Sequence, residues 1–161
     1  MEEIAIAHED PESADAVWCL AQYYALLSAS IGEPFDVGRS RDPDRDALRP
    51  PLGAFLIARM EGQAIGCCGL KGDGSPDGEI KRLWVAETAR GRGLATRLMR
   101  EVETRARSLG MTRLRLDTNR TLTAAIAMYH RLGWIEIPAF NDEPYAHHWF
   151  EKRFDSVNTA K

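Results

Sequence analysis

The chain has 161 residues, 44% of them hydrophobic and 28% charged, with three cysteines and a formal net charge of -3. That length fits one domain with a sizeable core, and so mild an acidity favours neither nucleic acid nor a membrane surface as partner. Cys19, Cys67 and Cys68 are odd in number and two are adjacent, which excludes a secreted disulfide framework, and no Cys/His spacing suggests zinc, so reduced buried thiols and no metal are expected.

The start Met1-Glu2-Glu3 lacks the basic residues and apolar run of a signal peptide, and no apolar stretch approaches the ~18 residues of a membrane span. A cytoplasmic protein is expected. Ile4 to Ala7 reads as a short strand. From Ser13 to about Ser30, Val17, Leu20, Ala21, Tyr24 and Leu27 recur at helical spacing, with Ser13 or Asp15 placed to cap the start and Gly32 and Pro34 to end it. Residues 36–51, rich in Asp, Arg and Pro, predict a long exposed connection. Connections of that length in compact domains are often functional.

The period then changes. Ala54 to Met60, a turn at Glu61-Gly62 and Ala64 to Leu70 predict a hairpin, and residues 72–78 a loop. Glu79 to Val85 predicts a third strand, with Ile80, Arg82 and Trp84 alternating against Glu79, Lys81, Leu83 and Val85. An amphipathic helix follows from about Gly93 to Leu109, its face lined by Leu94, Leu98, Val102 and Ala106, with Gly110 at its C-cap. Arg113 to Asp117 is a strand, Thr121 to Leu132 a helix stopped by Gly133, and Trp134 to Ile137 and Tyr145 to Phe150 are closing strands. The order β-α-β-β-β-α-β-α-β-β begins with antiparallel-type strands and ends with a strand-helix-strand unit, which is α+β and not a repeating doubly wound sheet.

The segment Arg90-Gly91-Arg92-Gly93-Leu94-Ala95 opens a helix directly after a strand, inside a locally basic stretch running from Lys81 to Arg120. Glycines let a backbone approach phosphate closely, and a helix N-terminus adds partial positive charge. Two rival phosphate loops fit worse. No Lys follows Gly93, as the Walker pattern requires, and Thr96 stands where the dinucleotide fingerprint needs a third small residue.

The pattern Arg90-x-x-Gly93-x-Ala95 after Glu79-Ile80-Lys81-Arg82-Leu83-Trp84-Val85 resembles the central motif of the GNAT acetyltransferase superfamily. Asn119 and then Ala125-Ile126-Ala127-Met128-Tyr129-His130-Arg131-Leu132-Gly133-Trp134 are similar to its next motif, so the resemblance covers residues 79–134 in order. It implies a mixed, mostly antiparallel sheet flanked by helices, with a parallel pair splayed by a β-bulge to admit acetyl-CoA as co-substrate. In that frame Leu83, Trp84 and Val85 border the pantetheine arm, with backbone groups of Leu83 and Val85 offered to it. Gly91, Arg92, Gly93, Leu94, Ala95 and Thr96 form the pyrophosphate loop, Arg90 and Arg92 assist electrostatically, and Asn119 contacts the cofactor. Read locally, Asn119 is equally a helix cap ahead of Thr121.

Direct acetyl transfer to an amine needs a neutral nitrogen and a proton for the departing thiolate. An alkylamine of pKa ~10.4 costs about 4–5 kcal/mol to deprotonate at pH 7, whereas an α-amino group near ~7.8 costs about 1. The resemblance makes Tyr129 the general acid toward the thiolate and Glu79, at the start of the strand, the general base. Lys81 and Arg82 follow Glu79 and are placed to pair with it, which would weaken it as a base. An acyl-cysteine route through Cys67 or Cys68 lacks a nearby histidine. His147 and His148, as strand neighbours, point to opposite faces and do not suggest a metal pair.

The acceptor is read by parts outside these motifs: Trp18, Tyr23 and Tyr24 on the first helix, the 36–51 loop, and the 138–150 segment with Phe140, Tyr145 and Trp149. In the loop Arg39, Arg41, Arg45 and Arg49 alternate with Asp36, Asp42, Asp44 and Asp46, which gives no net preference. The expected partner is a small amine or amino acid, with a protein amine second; a homodimer is compatible with this reading. A second class, a non-catalytic acyl-CoA-binding sensor, keeps the fold but has no use for Tyr129 or Glu79.

Overall fold

The computed structural model describes residues 3–36 and 45–154. Seven strands form one sheet in the order β1-β2-β3-β4-β5-β7-β6, where β1 is Ile4–His8, β2 Ala54–Met60, β3 Gln63–Gly72, β4 Asp77–Val85, β5 Arg113–Thr118, β6 Ile135–Ile137 and β7 His148–Arg153. Three helices accompany it: α1 (Ala14–Ile31), α2 (Leu94–Ser108) and α3 (Thr123–Arg131). Every neighbouring pair is antiparallel except β4 with β5. The element order and the α+β class match the expectation from sequence.

Local chemistry explains the helices. The Ser13 hydroxyl accepts the Ala16 N–H at 3.1 Å and caps α1, and Gly32 closes the helix by donating to the Ser28 carbonyl. On α2, Leu94, Leu98, Met99, Val102 and Ala106 are buried together in the core between the helix and the sheet. Each large member of that stripe contributes about 1.5–3 kcal/mol of burial, which holds the helix start in place. A second, smaller core on the opposite face joins Ala16 and Cys19 of α1 to Phe55, Ile57, Cys67 and Trp84.

Two expectations need correction. The alternation read for residues 79–85 holds in burial, with Ile80, Arg82 and Trp84 buried between half-buried neighbours, but the two sets do not keep to opposite faces. Cys67 pairs with Trp84 but Gly69 with Lys81, so Arg82 and Leu83 together oppose Cys68, and Arg82 adopts φ 59° while 4% exposed. This bulge turns Leu83 and Val85 to the α2 side with Ile80, and Trp84 to the α1 side. The last strand also starts at His148, not Tyr145. The Tyr145 carbonyl accepts the Asn119 side-chain N–H and the His147 N–H donates to the Thr118 carbonyl, so residues 145–147 form the approach to the strand.

Of the long connection, Arg45–Leu48 forms a 3-10 turn, with Arg49 bound to Asp10 and Glu12. The charged positions Arg39, Arg41, Asp42 and Asp44 lie outside the described residues. Among the described residues no helix is long and apolar enough to cross a membrane.

Candidate active site

The parallel pairing of β4 with β5 covers only Asp77–Glu79 against Arg113–Arg115. Beyond Glu79 the bulge at Arg82 carries β4 away, and a cavity of about 680 Å³ opens between the strands. The start of α2 lies on its wall. Gly91 and Gly93 sit at φ 83° and 74°, in the left-handed region that favours glycine, and a β-carbon at either would meet no chain atom within 4 Å. No side chain caps this helix start. Gly93, Leu94, Ala95 and Thr96 line the cavity, and a helix N-terminus with a glycine N-cap suits an anion such as a pyrophosphate.

Of the residues assigned to the cofactor from sequence, Leu83, Trp84, Val85, Arg90, Gly91, Gly93, Leu94, Ala95, Thr96 and Asn119 lie on the cavity wall. Arg92 does not; its guanidinium reaches the Met60 sulfur at 3.3 Å. Trp84 also meets Trp18 edge-on, with ring centroids 5.6 Å apart. Asn119 is buried, with its amide N–H on the Tyr145 carbonyl at 2.8 Å and its oxygen accepting from the Thr121 N–H and hydroxyl at 2.9 and 2.7 Å. Its amide is thus engaged in holding the β5–α3 turn; it does not cap the helix, because α3 starts at Thr123 with Leu122 as its N-cap.

Tyr129 lines the same cavity from α3, its ring packed against Trp134 and Phe150 at centroid distances of 6.1 and 5.7 Å. Burial, with smaller contributions from Cys68 and Asp117, pushes the phenol well above its ordinary pKa, so it stays protonated.

Glu79 is not on that wall. Its carboxylate lies 3.6 Å from the Lys71 ammonium and 3.4 Å from Lys81, so the pairing with Lys81 anticipated from sequence is present. The carboxylates that do line the cavity are Asp117 and Glu143, and Lys81 lies on the wall with them. Lys81 and Asp117 stand 3.9 Å apart, and Asp117 also accepts the Asn141 side-chain N–H at 2.8 Å. Asn141 in turn accepts from the Trp149 indole at 2.9 Å. Burial raises the Asp117 carboxyl above its ordinary pKa, opposed but not cancelled by Lys81 and Asn141. Burial alone would lower the Lys81 ammonium; Asp117 and Glu79 overcome it and hold the pKa above the ordinary value.

Of the aromatic residues expected to wall an acceptor pocket, Tyr23 and Tyr145 do, joined by Phe35, whose ring lies 4.6 Å from Tyr145. Phe140 instead lies 4.2 Å under the Arg115 guanidinium. Sequence reasoning missed Asp117, Lys81 and Glu143 as wall residues. The one available signal was a charged residue ending an otherwise alternating strand at Asp117. Cys67 and Cys68 are fully buried off the wall; the Cys67 thiol donates to the Arg82 carbonyl at 3.1 Å, and burial pushes Cys68 up to about 12. His147 accepts the Arg120 N–H and His148 pairs with Glu136. Among the described residues no group of three or more His, Cys, Asp or Glu is arranged to hold a metal ion.

Comparison with known proteins agrees with this geometry. Residues 20–134 match the acetyltransferase (GNAT) family model. The chain is 32% identical over 146 residues, 90% of its length and 92% of the relative's, to a protein named IAA acetyltransferase from Azospirillum brasilense. Its fold is similar to the crystal structure of a GNAT-family acetyltransferase from Staphylococcus aureus, with a TM-score of 0.78 at 15% identity over 95% of this chain and 100% of that one. It is similar also to the PaiA N-acetyltransferase from Thermoplasma acidophilum in complex with coenzyme A, with a TM-score of 0.73 at 16% identity over 94% and 99% of the two chains. With the family matched over most of the chain and its splayed-strand architecture present, the protein belongs to the GNAT family of acetyl-CoA-dependent acetyltransferases.

Proposed function

We propose that the protein transfers an acetyl group from acetyl-CoA to a primary amine by direct attack while both are bound, the acceptor being a small amine or amino acid and, second, a protein amine. The observation that carries this reading is one cavity whose wall combines two chemically different sets of residues. One set is the uncapped start of α2, Gly91, Gly93 and Arg90; the other is Tyr23, Phe35 and Tyr145 with Lys81, Asp117 and Glu143. Tyr129 belongs to the same wall.

The residues of this chain divide the work accordingly. In this reading the backbone groups of Leu83 and Val85, past the last β4–β5 pair, meet the pantetheine arm, and the first-turn amides of α2 meet the pyrophosphate; both segments line the cavity, which supports it. Acetyl-CoA supplies the activated thioester. Tyr129 holds its phenolic proton ready for the departing thiolate. Position decides this step, because a phenol is an intrinsically weak acid and only a transient, desolvated thiolate takes its proton.

The test is thiol release from acetyl-CoA over a panel of small amines, amino acids and peptides, with the acetylated product identified by mass. Turnover with at least one primary amine is expected. Acetyl-CoA binding with no turnover across the panel would overturn the reading in favour of a ligand-binding sensor.

A further inference from the structure

An alkylammonium acceptor must lose a proton before its nitrogen can attack, and the base that takes it must border the cavity. Glu79 does not: it lies off the wall, between the ammonium groups of Lys71 and Lys81. Asp117 does. It sits near the end of β5 past the point where β4 has separated, and its two oxygens are in different states. Oδ2 accepts from Asn141 at 2.8 Å and faces Lys81 at 3.9 Å, whereas Oδ1 takes no hydrogen bond among the described residues. We infer that Asp117 is the general base of this enzyme, receiving the acceptor ammonium's proton on Oδ1, and that Lys81 and Asn141 are positioning residues that fix its carboxylate through Oδ2. This rests on the acetyl-transfer reading given above.

The surroundings tune the group in the required direction. Lys81 and Glu79 reach it from β4, Glu143 from the loop before β7, and Tyr129 from α3. Burial is the largest influence and makes Asp117 a stronger base than a solvated carboxylate. Glu79 and Glu143 add to this, and Lys81 limits it. Glu79 then acts at one remove, by holding Lys81.

The proton and electron count closes. One ammonium proton passes to Asp117 Oδ1, and the freed lone pair forms the C–N bond to the thioester carbonyl carbon. The C–S bond breaks with its electron pair on sulfur, and the thiolate takes the Tyr129 phenolic proton. The nitrogen's surplus proton restores the phenol, and Asp117 releases its proton to solvent.

The experiment compares wild type, Asp117→Asn, Asp117→Glu and Glu79→Gln on two acceptor amines, one of pKa near ~10 and one near ~8. Asp117→Asn should lower kcat about 100-fold for the more basic amine and about ten-fold for the less basic one, an order of magnitude typical of losing a base. Its rate should climb with pH toward the amine's own pKa, with acetyl-CoA affinity within three-fold of wild type. Asp117→Glu should recover part of the rate, and Glu79→Gln should show the smaller loss. The inference is overturned if Asp117→Asn keeps kcat within three-fold. It is equally overturned if that variant loses the same factor on both amines with an unchanged pH profile, or if Glu79→Gln shows the larger, amine-dependent loss. A wild type that binds acetyl-CoA and acetylates no amine overturns the acetyl-transfer reading itself and this inference with it.

Discussion

Tyr129 is held by two aromatic neighbours, Trp134 and Phe150, and its residue is only 5% exposed, yet it lines the cavity. The packing fixes the ring, and in the proposed reaction the hydroxyl does the chemistry, so the two separate on substitution. Tyr129→Phe keeps the ring contacts and removes one oxygen. We expect kcat to fall about 100-fold, within the range for a lost general acid, while stability changes by less than about 1 kcal/mol. Because burial keeps the phenol protonated, the wild-type rate should show no loss from Tyr129 ionisation up to its ordinary pKa of ~10. Steady-state rates and a thermal melt check both halves; a kcat within three-fold of wild type would show that the thiolate is protonated by another route. Tyr129 was legible in sequence because its motif surrounds it within one helix. Asp117 was not, since it continues the outer row of Arg113 and Arg115 on a strand whose inner row is Leu114 and Leu116. Its meaning arises only when Lys81 of β4 and Asn141 of a distant loop close on it.

At the scale of elements, two local features make the donor half of the site: the bulge in β4 and the start of α2. Helix α2 was readable because its apolar stripe recurs every three to four residues and is buried as one face. The bulge was not. It is defined by the pairing of Cys67 with Trp84 and Gly69 with Lys81, a relation between two strands that no periodicity within residues 79–85 encodes. Arg82 bears the left-handed conformation, a strain of about 1–3 kcal/mol that its buried setting must offset. The β7 start was misplaced for a similar reason: Tyr145 looks like a strand residue, but its carbonyl is engaged by Asn119 from another element. At the α2 start the test is Gly93→Val. A β-branched residue at φ 74° is strained, and its side chain would project where no chain atom lies within 4 Å, into the approach to the first-turn amides. Acetyl-CoA affinity by calorimetry should fall at least ten-fold while circular dichroism shows the fold retained. Unchanged affinity would remove the loop from the binding site.

The whole molecule is a sheet in two parts, β1 to β4 and β5-β7-β6, whose direct pairing is limited to Asp77–Glu79 with Arg113–Arg115. That seam is reinforced by Arg113, which donates to both oxygens of Asp77 at 3.0 and 2.7 Å and reaches Glu151 of β7 at 3.5 Å. Past it, the cavity separates the parts, and its wall draws Val85 and the α2 start from one side and Thr118 and Tyr129 from the other. A ligand filling the cavity therefore acts as a bridge where the sheet has none, and it binds the folded state only. At 100 times its Kd, acetyl-CoA should add about 2.7 kcal/mol to stability, or roughly 5–10 °C in Tm for a chain of this size. The gain should be local in origin. Amide hydrogen exchange should slow most at residues 83–85 and 93–96, which border the cavity, and little across β1, β2 and β3, which do not line it. A Tm rise accompanied by protection chiefly in β1 and β2 would mean that the ligand sits elsewhere, and the seam would then be a weakness of the fold without a role in holding acetyl-CoA.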